Sequence, residues 1–489
     1  MKNFNKFIIG FFTLASIVSC SEFETSLEVE NLNAPNDQIL LTDATALEAS
    51  ASGIINNWFQ LTHDNLTVGS SMAVMADAFT CSWGNYAMRD TSSEPRTAWN
   101  NSSGYSDAGM TERFFNGMHS ILTDSNNLIK ALDNGIQFGD EGSNNAQIEA
   151  IARFGQAIST GYLALVFDRV WISDETGALN NGDPVAYNEA IKNSLEFINK
   201  GIIVADNNTF VLPSSWINGT NYSNTDLSKL MNSMGARLMV TSLRNSSQRD
   251  ALDWNQVLDY ANAGISIDFA PLMDDVVWFC DLKWTLSYGG WGRVDMRIIN
   301  MMDPDTQSVF PSTQITIPES TSDDARLTSD FQYLDGQDFI PSRGTYHYSS
   351  YRHSRYDQYI TSWNVPVTDY SVTENDMYKA EALLRTGNVA GAATVINTGT
   401  RTSRGNLTNV APDETEVYKA IHYERLIECA NTGMGNAFFE MRKENLLQKG
   451  TLLHFPIPGS ILATIGISEY TFGGEQGVAG EDYSINGWK

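Results

Sequence analysis

The sequence predicts an all-α fold that one loop-rich region interrupts. Residues 111–133 and 146–167 repeat apolar side chains at the three- and four-residue spacing of an amphipathic helix. Residues 374–386 end at Gly387 and are followed by the small-residue segment 389–397, which is the shape of a tetratricopeptide-like helix pair. No strict repeat of about 34 residues is visible. We therefore expect a scaffold of paired helices.

The domain organisation follows from where this pattern stops and resumes. Helical spacing continues through 226–244 and 254–264, is lost between about 268 and 365, and then returns. The 489 residues contain no Pro-, Gly- or Ser-rich linker, so we expect one domain after the N-terminal segments. The predicted parts are a signal peptide (1–19), a lipidated tether (20–40), an N-terminal helical part (41–267), a loop-rich ligand-binding region (268–365) and a C-terminal helical part (366–489).

The N-terminus has the features of a secretory signal that ends in a lipidated cysteine. Lys2 and Lys6 precede the apolar run 7–16, which is too short to span a bilayer, and the segment closes on Cys20. This ending is similar to a bacterial lipobox, in which Cys20 is acylated and each buried CH2 contributes about 0.8 kcal/mol of membrane affinity. Residues 21–24, Ser-Glu-Phe-Glu, resemble the acidic export signal of surface lipoproteins in the Bacteroidetes. We expect an anchored protein that does not span the membrane.

The chain is strongly acidic, with 58 Asp and Glu against 31 Lys and Arg and a formal charge of −27. Nucleic acid is not an expected partner, because cations dominate phosphate binding. The negative electrostatic potential of the chain also disfavours uronate or sulfated polymers unless a local Arg cluster overrides it. A neutral ligand is the simplest interpretation. Acidity that only keeps the protein soluble in a salty habitat is the alternative, and it would say nothing about the ligand.

Aromatic residues concentrate in residues 278–291, WFCDLKWTLSYGGW, which contain three of the eleven tryptophans. Neither a helical nor a strand period organises them, and Gly289 and Gly290 interrupt the partial helical pattern. Rings on a polar, glycine-interrupted loop provide rigid contact area with few rotamers to freeze. Packing over a helical core is the alternative explanation of this cluster.

A ligand that has both apolar faces and hydroxyl groups needs flat apolar surfaces together with planar polar side chains. Two separate segments supply that combination, and we expect them to build one shared site. The candidate ligand-binding residues are Trp83, Tyr86 and Arg89 in the first segment, and Trp278, Trp284, Tyr288, Trp291, Arg293 and Asp295 in the second. The four tryptophans are the expected stacking rings, and Arg89, Arg293 and Asp295 the expected hydroxyl contacts. Trp99 is expected to cap the following helix, and a third stretch (Tyr346, Tyr348, Tyr351, Tyr356) fits packing as well as binding.

Three cysteines remain if Cys20 is lipidated, so at least one thiol is unpaired. Cys81 and Cys280 each lie two residues from a tryptophan. A disulfide between them would tie the two aromatic segments together, and buried free thiols are the alternative. Cys429 is expected in the core of a helix.

Motifs for catalysis or metal binding are weak. The pairs Asp274-Asp275 and Asp323-Asp324 could be the two carboxylates of a glycosidase, but adjacent acids on a loop are usually solvated turn residues. No H-E-x-x-H, G-x-S-x-G or P-loop motif occurs, and the six histidines are scattered. We predict no cofactor, and no motif supports a structural Ca²⁺.

Several segments, in the same order, resemble the SusD/RagB family of surface glycan-binding lipoproteins, which work with a SusC-like TonB-dependent transporter of the outer membrane. The segments are 148–171 (with Ala-Arg-Phe), 227–243 (with Ala-Arg-Leu), 254–265, 377–388 (with Ala-Glu-Ala), 395–408, 422–447 (with Glu-Arg-Leu-Ile-Glu) and 454–462 (with Pro-Ile-Pro). The resemblance implies four tetratricopeptide-like helix pairs, a variable loop-rich half that carries the glycan platform, and no conserved catalytic residues. Two segments depart from the family pattern, 369–373 and 431–433.

The expected function is non-catalytic binding of a poly- or oligosaccharide at the outer-membrane surface and its delivery to the transporter. A neutral glucan of the laminarin type is preferred over starch-like or mannan-like ligands. The alternatives are a surface glycoside hydrolase and capture of a non-glycan nutrient such as a peptide on the same scaffold.

Overall fold

Helices dominate the chain, as the sequence predicts. The structure is a computed structural model and describes residues 43–81, 84–309, 316–335, 348–474 and 482–489. The residues from Ala44 to Lys489 belong to one compact unit. None of the helices in the described ranges combines the length and the apolar content that a bilayer-spanning segment needs. The signal segment and Cys20 lie outside the described residues.

The N-terminal part is a series of helices in which each long helix packs against the next long helix along the chain. They are α1 Ala44–His63, α2 Val68–Met75, α3 Met88–Thr91, α4 Gly109–Asp133, α5 Asn145–Val166, α6 Tyr187–Asn207, α7 Asn224–Thr241, α8 Ser246–Asp250 and α9 Trp254–Asn262. The predicted helices at 111–133, 146–167, 226–244 and 254–264 are confirmed as α4, α5, α7 and α9. Helix α5 is buried along almost its whole length because α1, α4, α6 and α7 surround it. Its sequence is accordingly apolar or small on every side.

The region between 268 and 365 contains more helix than predicted. Its described residues include α10 Asp281–Ser287, α11 Met296–Met302, α12 Arg326–Ser329 and α13 Asp357–Ser362. The expectation that helical structure is absent here is wrong at these four places. Each helix has only one or two turns, which is too short for an apolar repeat to be visible in the sequence.

Helix pairs return in the C-terminal part. Its helices are α14 Val372–Arg385, α15 Val389–Thr398, α16 Thr400–Ser403, α17 Glu414–Ile427, α18 Asn436–Lys443 and α19 Gly459–Thr464. Gly387 ends α14 in the left-handed conformation (φ +87°) and donates its N–H to the Leu384 carbonyl oxygen at 3.1 Å. The Asn388 side chain then caps α15 by accepting the Gly391 N–H at 2.9 Å. The predicted pair of helices and its glycine turn are confirmed.

The described strands are short and pair antiparallel, some within a local hairpin and some between segments that are distant in sequence. They pair as β1 Phe79–Thr80 with β6 Arg293–Val294, β2 Arg169–Val170 with β5 Val185–Ala186, β3 Ser173–Asp174 with β4 Gly177–Ala178, and β7 Phe331–Tyr333 with β8 Tyr351–His353. The β1–β6 pair matters most for function, because it sets the segment that follows residue 80 beside the segment that precedes residue 293. Both segments carry candidate binding residues.

Buried ion pairs connect the helical parts. Arg237 of α7 pairs with Asp369 at 2.9 Å and with Glu374 of α14 at 2.7 Å, and the Tyr370 ring lies 4.0 Å from its guanidinium. Burial opposes ionisation of Asp369, but Arg237 and His63 together hold its pKa far below the usual range. Segment 369–373, which departs from the family pattern, therefore supplies partners for the arginine of the Ala-Arg-Leu motif.

Candidate ligand-binding site

Four aromatic side chains form a continuous row, which we call the aromatic row. Trp284 and Tyr288 stack with their ring centroids 5.4 Å apart and their planes 9° apart. Trp284 lies 6.3 Å from Trp291, and Trp291 lies 6.4 Å from Tyr86 with the planes 25° apart. Tyr288 is 49% exposed, and the other three rings are partly buried. The structure thus brings together rings from both predicted segments.

Helix α10 and the turn after it position three of these rings. Trp284 and Tyr288 are four residues apart, so they lie on the same side of the helical turn. Trp291 and Gly292 both donate their N–H to the Tyr288 carbonyl oxygen, at 2.8 and 3.0 Å, which folds Trp291 back towards Trp284. A Cβ at Gly292 would lie 2.9 Å from the Leu286 carbonyl oxygen, so this close approach requires glycine. The prediction that no helical period organises this segment is therefore wrong for residues 281–287.

Tyr86 comes from a segment far earlier in the chain and is held in an unusual backbone conformation. Tyr86 and Ala87 both adopt positive φ angles, 57° and 53°. Such conformations cost about 1–3 kcal/mol each for residues other than glycine. The Ser71 hydroxyl donates to the Tyr86 carbonyl oxygen at 2.7 Å. The surrounding structure therefore enforces the position from which Tyr86 meets Trp291.

The structure removes other aromatic candidates from the surface. Trp278 is 3% exposed and packs against Phe59 with the centroids 5.3 Å apart, so the prediction that it contacts ligand is wrong. Tyr348 and Tyr351 of the third stretch are also buried, which favours the packing interpretation for them. Trp83 and Tyr346 lie outside the described residues.

Two predicted polar contacts also lie in the interior. Arg293 is 1% exposed and donates to the Gly289 carbonyl oxygen at 3.2 Å. Asp295 is 2% exposed and accepts the Arg297 N–H at 2.8 Å as the cap of α11. Burial, reinforced by Asp77, raises the pKa of Asp295 well above its usual range. The predicted hydroxyl contacts at Arg293 and Asp295 are therefore wrong, because neither side chain reaches the solvent.

Polar side chains do border the aromatic row. Arg89 is half exposed and lies 3.7 Å from Asp90. Burial raises the pKa of Tyr86, and the carboxylates of Asp281 and Asp64 raise it further. Asp64 is buried, pairs with Arg113 at 3.0 Å and accepts the Leu66 N–H at 2.8 Å, so its carboxylate is occupied by the protein. Arg89 and partly buried Asp281 can exchange hydrogen bonds with hydroxyl groups, which suits a polyhydroxylated ligand.

No disulfide joins the cysteines of the described residues, so the predicted disulfide between Cys81 and Cys280 is wrong. Cys280 Sγ faces α1, 3.1 Å from His63 Nδ1. The β1–β6 pair joins the two aromatic segments without a covalent bond. Cys429 is buried, but it follows α17 and is not part of the helix.

Cys280, His63 and Asp369 have the residue types of a nucleophile, a base and an orienting acid, but their burial excludes that role. His63 Nε2 lies 2.9 Å from Asp369, and all three side chains are fully buried. Burial raises the pKa of Cys280 to about 11 and lowers that of His63 to about 4. A protonated thiol without access to solvent is a poor nucleophile. The cluster is a structural hydrogen-bonding network.

We expect no native thiol of the Cys20→Ala variant to react with DTNB near neutral pH, because Cys81, Cys280 and Cys429 are buried. All three should react after unfolding in guanidinium chloride, and reducing agent should leave the thermal midpoint unchanged. Reaction of only one thiol in unfolded protein that has not been reduced would reveal a disulfide and contradict the structure.

The acidic pairs considered for glycosidase chemistry have structural contacts. Asp274 accepts the N–H groups of Val276, Val277 and Trp278 at 2.8–2.9 Å. Asp324 is buried and pairs with Arg326 at 2.8 Å. Within the described ranges, no three His, Cys, Asp or Glu side chains converge in a way that suits a metal ion.

Comparison with solved structures identifies the fold. A SusD superfamily protein from Bacteroides vulgatus ATCC 8482 matches 87% of this chain and 97% of its own with a TM-score of 0.58 and 11% identity. The chain has the SusD-like fold. A SusD-like carbohydrate binding protein from the same strain matches with a TM-score of 0.52, 11% identity and coverage of 81% and 82% of the two chains. A crystal structure with xylogluco-oligosaccharide matches with a TM-score of 0.53, 12% identity and coverage of 91% and 93%.

No family model and no curated protein matches this sequence. At such low identity the likeness to the solved structures concerns the SusD-like fold alone. The fold implied by the family resemblance is thereby confirmed. The aromatic row has to be judged on its own geometry.

Proposed function

We propose that this protein binds a neutral oligo- or polysaccharide through the aromatic row. The observation that carries the proposal is the convergence of Tyr86, Trp284, Tyr288 and Trp291 from two distant segments into one row that leaves Tyr288 half exposed. The backbone at Tyr86 has a strained conformation, and the Tyr86 ring forms one end of the row. Backbone strain of this kind concentrates at functional sites. An exposed row of rings bordered by carboxylates suits the apolar faces and hydroxyl groups of sugars.

The charge distribution favours an uncharged glycan. The Asp281 carboxylate raises the pKa of Tyr86, and the whole chain carries a formal charge of −27. Anionic polymers would be repelled by this field. A β-glucan of the laminarin type is our preferred ligand, ahead of starch-like and mannan-like chains.

The setting of this binding is the outer-membrane surface. SusD-like neighbours include a protein named as carbohydrate binding and a structure with xylogluco-oligosaccharide, which supports the glycan assignment. We propose that Cys20 carries the lipid anchor and that a SusC-like TonB-dependent transporter receives the glycan. The protein itself would act without catalysis.

Affinity electrophoresis against laminarin, xyloglucan, mannan, starch, alginate and a sulfated galactan tests the proposal. We expect retardation by one or more neutral polymers, with no release of new reducing ends on prolonged incubation. Steady release of reducing ends would favour the hydrolase alternative. Tight binding to alginate or the sulfated galactan would contradict the charge argument. Binding of peptides with no response to any glycan would favour peptide capture.

The Cys20→Ala variant should be released from the membrane as soluble protein with unchanged glycan affinity. The anchor would lie in the N-terminal tether, whereas the aromatic row is built from residues 86 and 284–291. Fractionation of cells followed by affinity electrophoresis of the soluble fraction measures both properties. Retention of the variant in the membrane fraction would contradict lipidation at Cys20.

A further inference from the structure

We propose that a cavity next to α3 is a second sugar subsite, which extends the aromatic row and accommodates the end of a longer neutral glycan chain. This inference rests on the proposed function. The cavity has a volume of about 290 Å³, close to the lower end of small-molecule pockets. The side chains used in the argument are Asp90, Arg96, Thr97, Trp99, Asn100 and Tyr105.

Two perpendicular aromatic rings line the apolar side of the cavity. The Trp99 and Tyr105 centroids are 5.3 Å apart with the planes at 88°, and Phe455 supports Trp99 from another side at 5.1 Å. Trp99 therefore does not cap the following helix, which begins only at Gly109. Trp99 is 5% exposed, so it mainly supports the partly buried Tyr105 ring, which presents apolar surface to the cavity.

Polar side chains on the open side suit hydroxyl groups. Asp90 is half exposed: its Oδ2 accepts the Tyr105 hydroxyl at 2.7 Å, and its Oδ1 lies 3.7 Å from Arg89 Nε, so this polar cluster faces solvent where hydroxyl groups can bind. Thr97 and Asn100 are exposed at the rim and add a hydroxyl and an amide. Together with the two rings they reproduce the combination of apolar and planar polar surface seen at the aromatic row.

The cavity is not suited to an anionic sugar, because its arginine is already used. Arg96 is 5% exposed, pairs with buried Asp77 at 2.9 Å, and donates to Thr451 Oγ1 at 3.0 Å and to the Thr91 carbonyl oxygen at 3.1 Å. Half-exposed Asp90 is paired with half-exposed Arg89 at 3.7 Å, so these two exposed charges offset each other. The electrostatic preference is therefore the same as that of the aromatic row, for a neutral polyol.

The cavity is close enough to the aromatic row for one glycan chain to reach both. Asp90 follows Tyr86 by four residues, so their Cα atoms are at most about 14 Å apart even with the backbone fully extended. Tyr86 is the end ring of the row, and half-exposed Arg89 lies between the two in sequence. A chain that leaves the row at Tyr86 can continue past Arg89 to Asp90 and Tyr105.

Isothermal titration with paired trisaccharides and hexasaccharides of the laminari-, cello-, manno- and malto- series tests the subsite. For the series that binds, we expect the hexasaccharide to bind about ten-fold more tightly than the trisaccharide, a gain of about 1.4 kcal/mol. Asp90→Ala and Tyr105→Phe should remove most of that gain and leave trisaccharide affinity unchanged.

Asp206→Ala is the matched control, because Asp206 is an exposed carboxylate on α6 and does not line the cavity. Thermal midpoints of the Asp90 and Tyr105 variants should stay near that of the unaltered protein, which separates a binding effect from misfolding. The subsite proposal would be wrong if the trisaccharide and the hexasaccharide bound with equal affinity. It would also be wrong if both variants kept the higher affinity for the hexasaccharide. Either result would leave the proposed function intact. Absence of binding to any neutral glycan would overturn the proposed function, and the subsite with it.

Discussion

Replacing Tyr288 or Trp291 by alanine should weaken glycan binding about ten-fold or more while changing the thermal midpoint little. Replacing Trp278 by alanine should instead lower the thermal midpoint and leave the glycan affinity of the folded protein nearly unchanged. Tyr288 is half exposed and Trp291 is partly buried, so each contributes surface to a ligand. A ten-fold loss corresponds to about 1.4 kcal/mol of binding free energy. Trp278 is buried against Phe59, and its truncation should lower the free energy of unfolding by about 3–5 kcal/mol.

Trp171→Ala provides the matched control for Trp291→Ala. Trp171 is also partly buried, but it packs against Phe115 and donates its indole N–H to the Gly182 carbonyl oxygen at 3.0 Å, away from the aromatic row. Titration calorimetry and thermal unfolding of the same protein preparations measure both effects. If Trp291→Ala and Trp171→Ala lower affinity equally, or if Trp278→Ala affects binding alone, the aromatic row is not the binding surface.

Long helices could be predicted from the sequence because they repeat their apolar pattern several times. Helices α4 and α5 extend over six or more turns, and the boundary between α14 and α15 is fixed locally by Gly387 and Asn388. Helix α10 has seven residues, so its pattern is repeated less than twice before Tyr288 ends it. A local reading of the same residues therefore could not separate a short helix from an aromatic loop.

Which aromatic residues are exposed could not be predicted, because burial depends on contacts between distant segments. Trp278 is buried by Phe59 of α1, more than two hundred residues earlier. Arg293 and Asp295 are placed in the interior by the β1 strand and by the start of α11. The sequence did predict which two segments carry the rings, since composition alone marks them.

The way in which these two segments are held together also differs from the prediction. Cysteine positions near two tryptophans suggested a disulfide, yet both cysteines are buried without forming one. Strand pairing between Thr80 and Arg293 and the enforced positive φ at Tyr86 provide the constraint instead. Cysteine spacing carries no information on the direction of a side chain, and Cys280 faces His63.

Arg326 is the side chain whose loss should destabilise the fold most. It is fully buried and pairs with Asp324 at 2.8 Å, Glu424 at 2.6 Å and Glu428 at 3.0 Å. The Glu424 and Glu428 carboxylates belong to the Glu-Arg-Leu-Ile-Glu motif of the family resemblance. Breaking a buried ion pair by removing one partner costs about 3–5 kcal/mol, because the remaining charge is left uncompensated. Here Asp324 and Glu424 would lose the cation that they share, whereas Glu428 would keep its ion pairs with Arg355 at 2.9 Å and Arg404 at 2.5 Å.

We therefore expect Arg326→Met to lower the free energy of unfolding at pH 7 by at least about 3–5 kcal/mol, measured by urea denaturation. Arg352→Met is the matched control. Arg352 pairs with Asp357 at 2.6 Å, but the Asp357 carboxylate is 43% exposed. We therefore expect this variant to lose only about 0–1 kcal/mol of unfolding free energy. Equal losses in the two variants would show that burial of the partners does not determine the cost.

The loss of unfolding free energy that Arg326→Met causes should become smaller as the pH falls below about 4. Burial opposes ionisation of Asp324, but hydrogen bonds from Arg326 lower its pKa below the usual value. A carboxyl group whose pKa is depressed in the folded state stabilises the fold above its unfolded pKa, about 3.9 for Asp, and this contribution is lost as the pH falls. The variant lacks that contribution at every pH, so its difference from the unaltered protein decreases on acidification. Glycan affinity of the folded fraction should not change, because Arg326 makes its ion pairs with Asp324, Glu424 and Glu428 and not with the aromatic row.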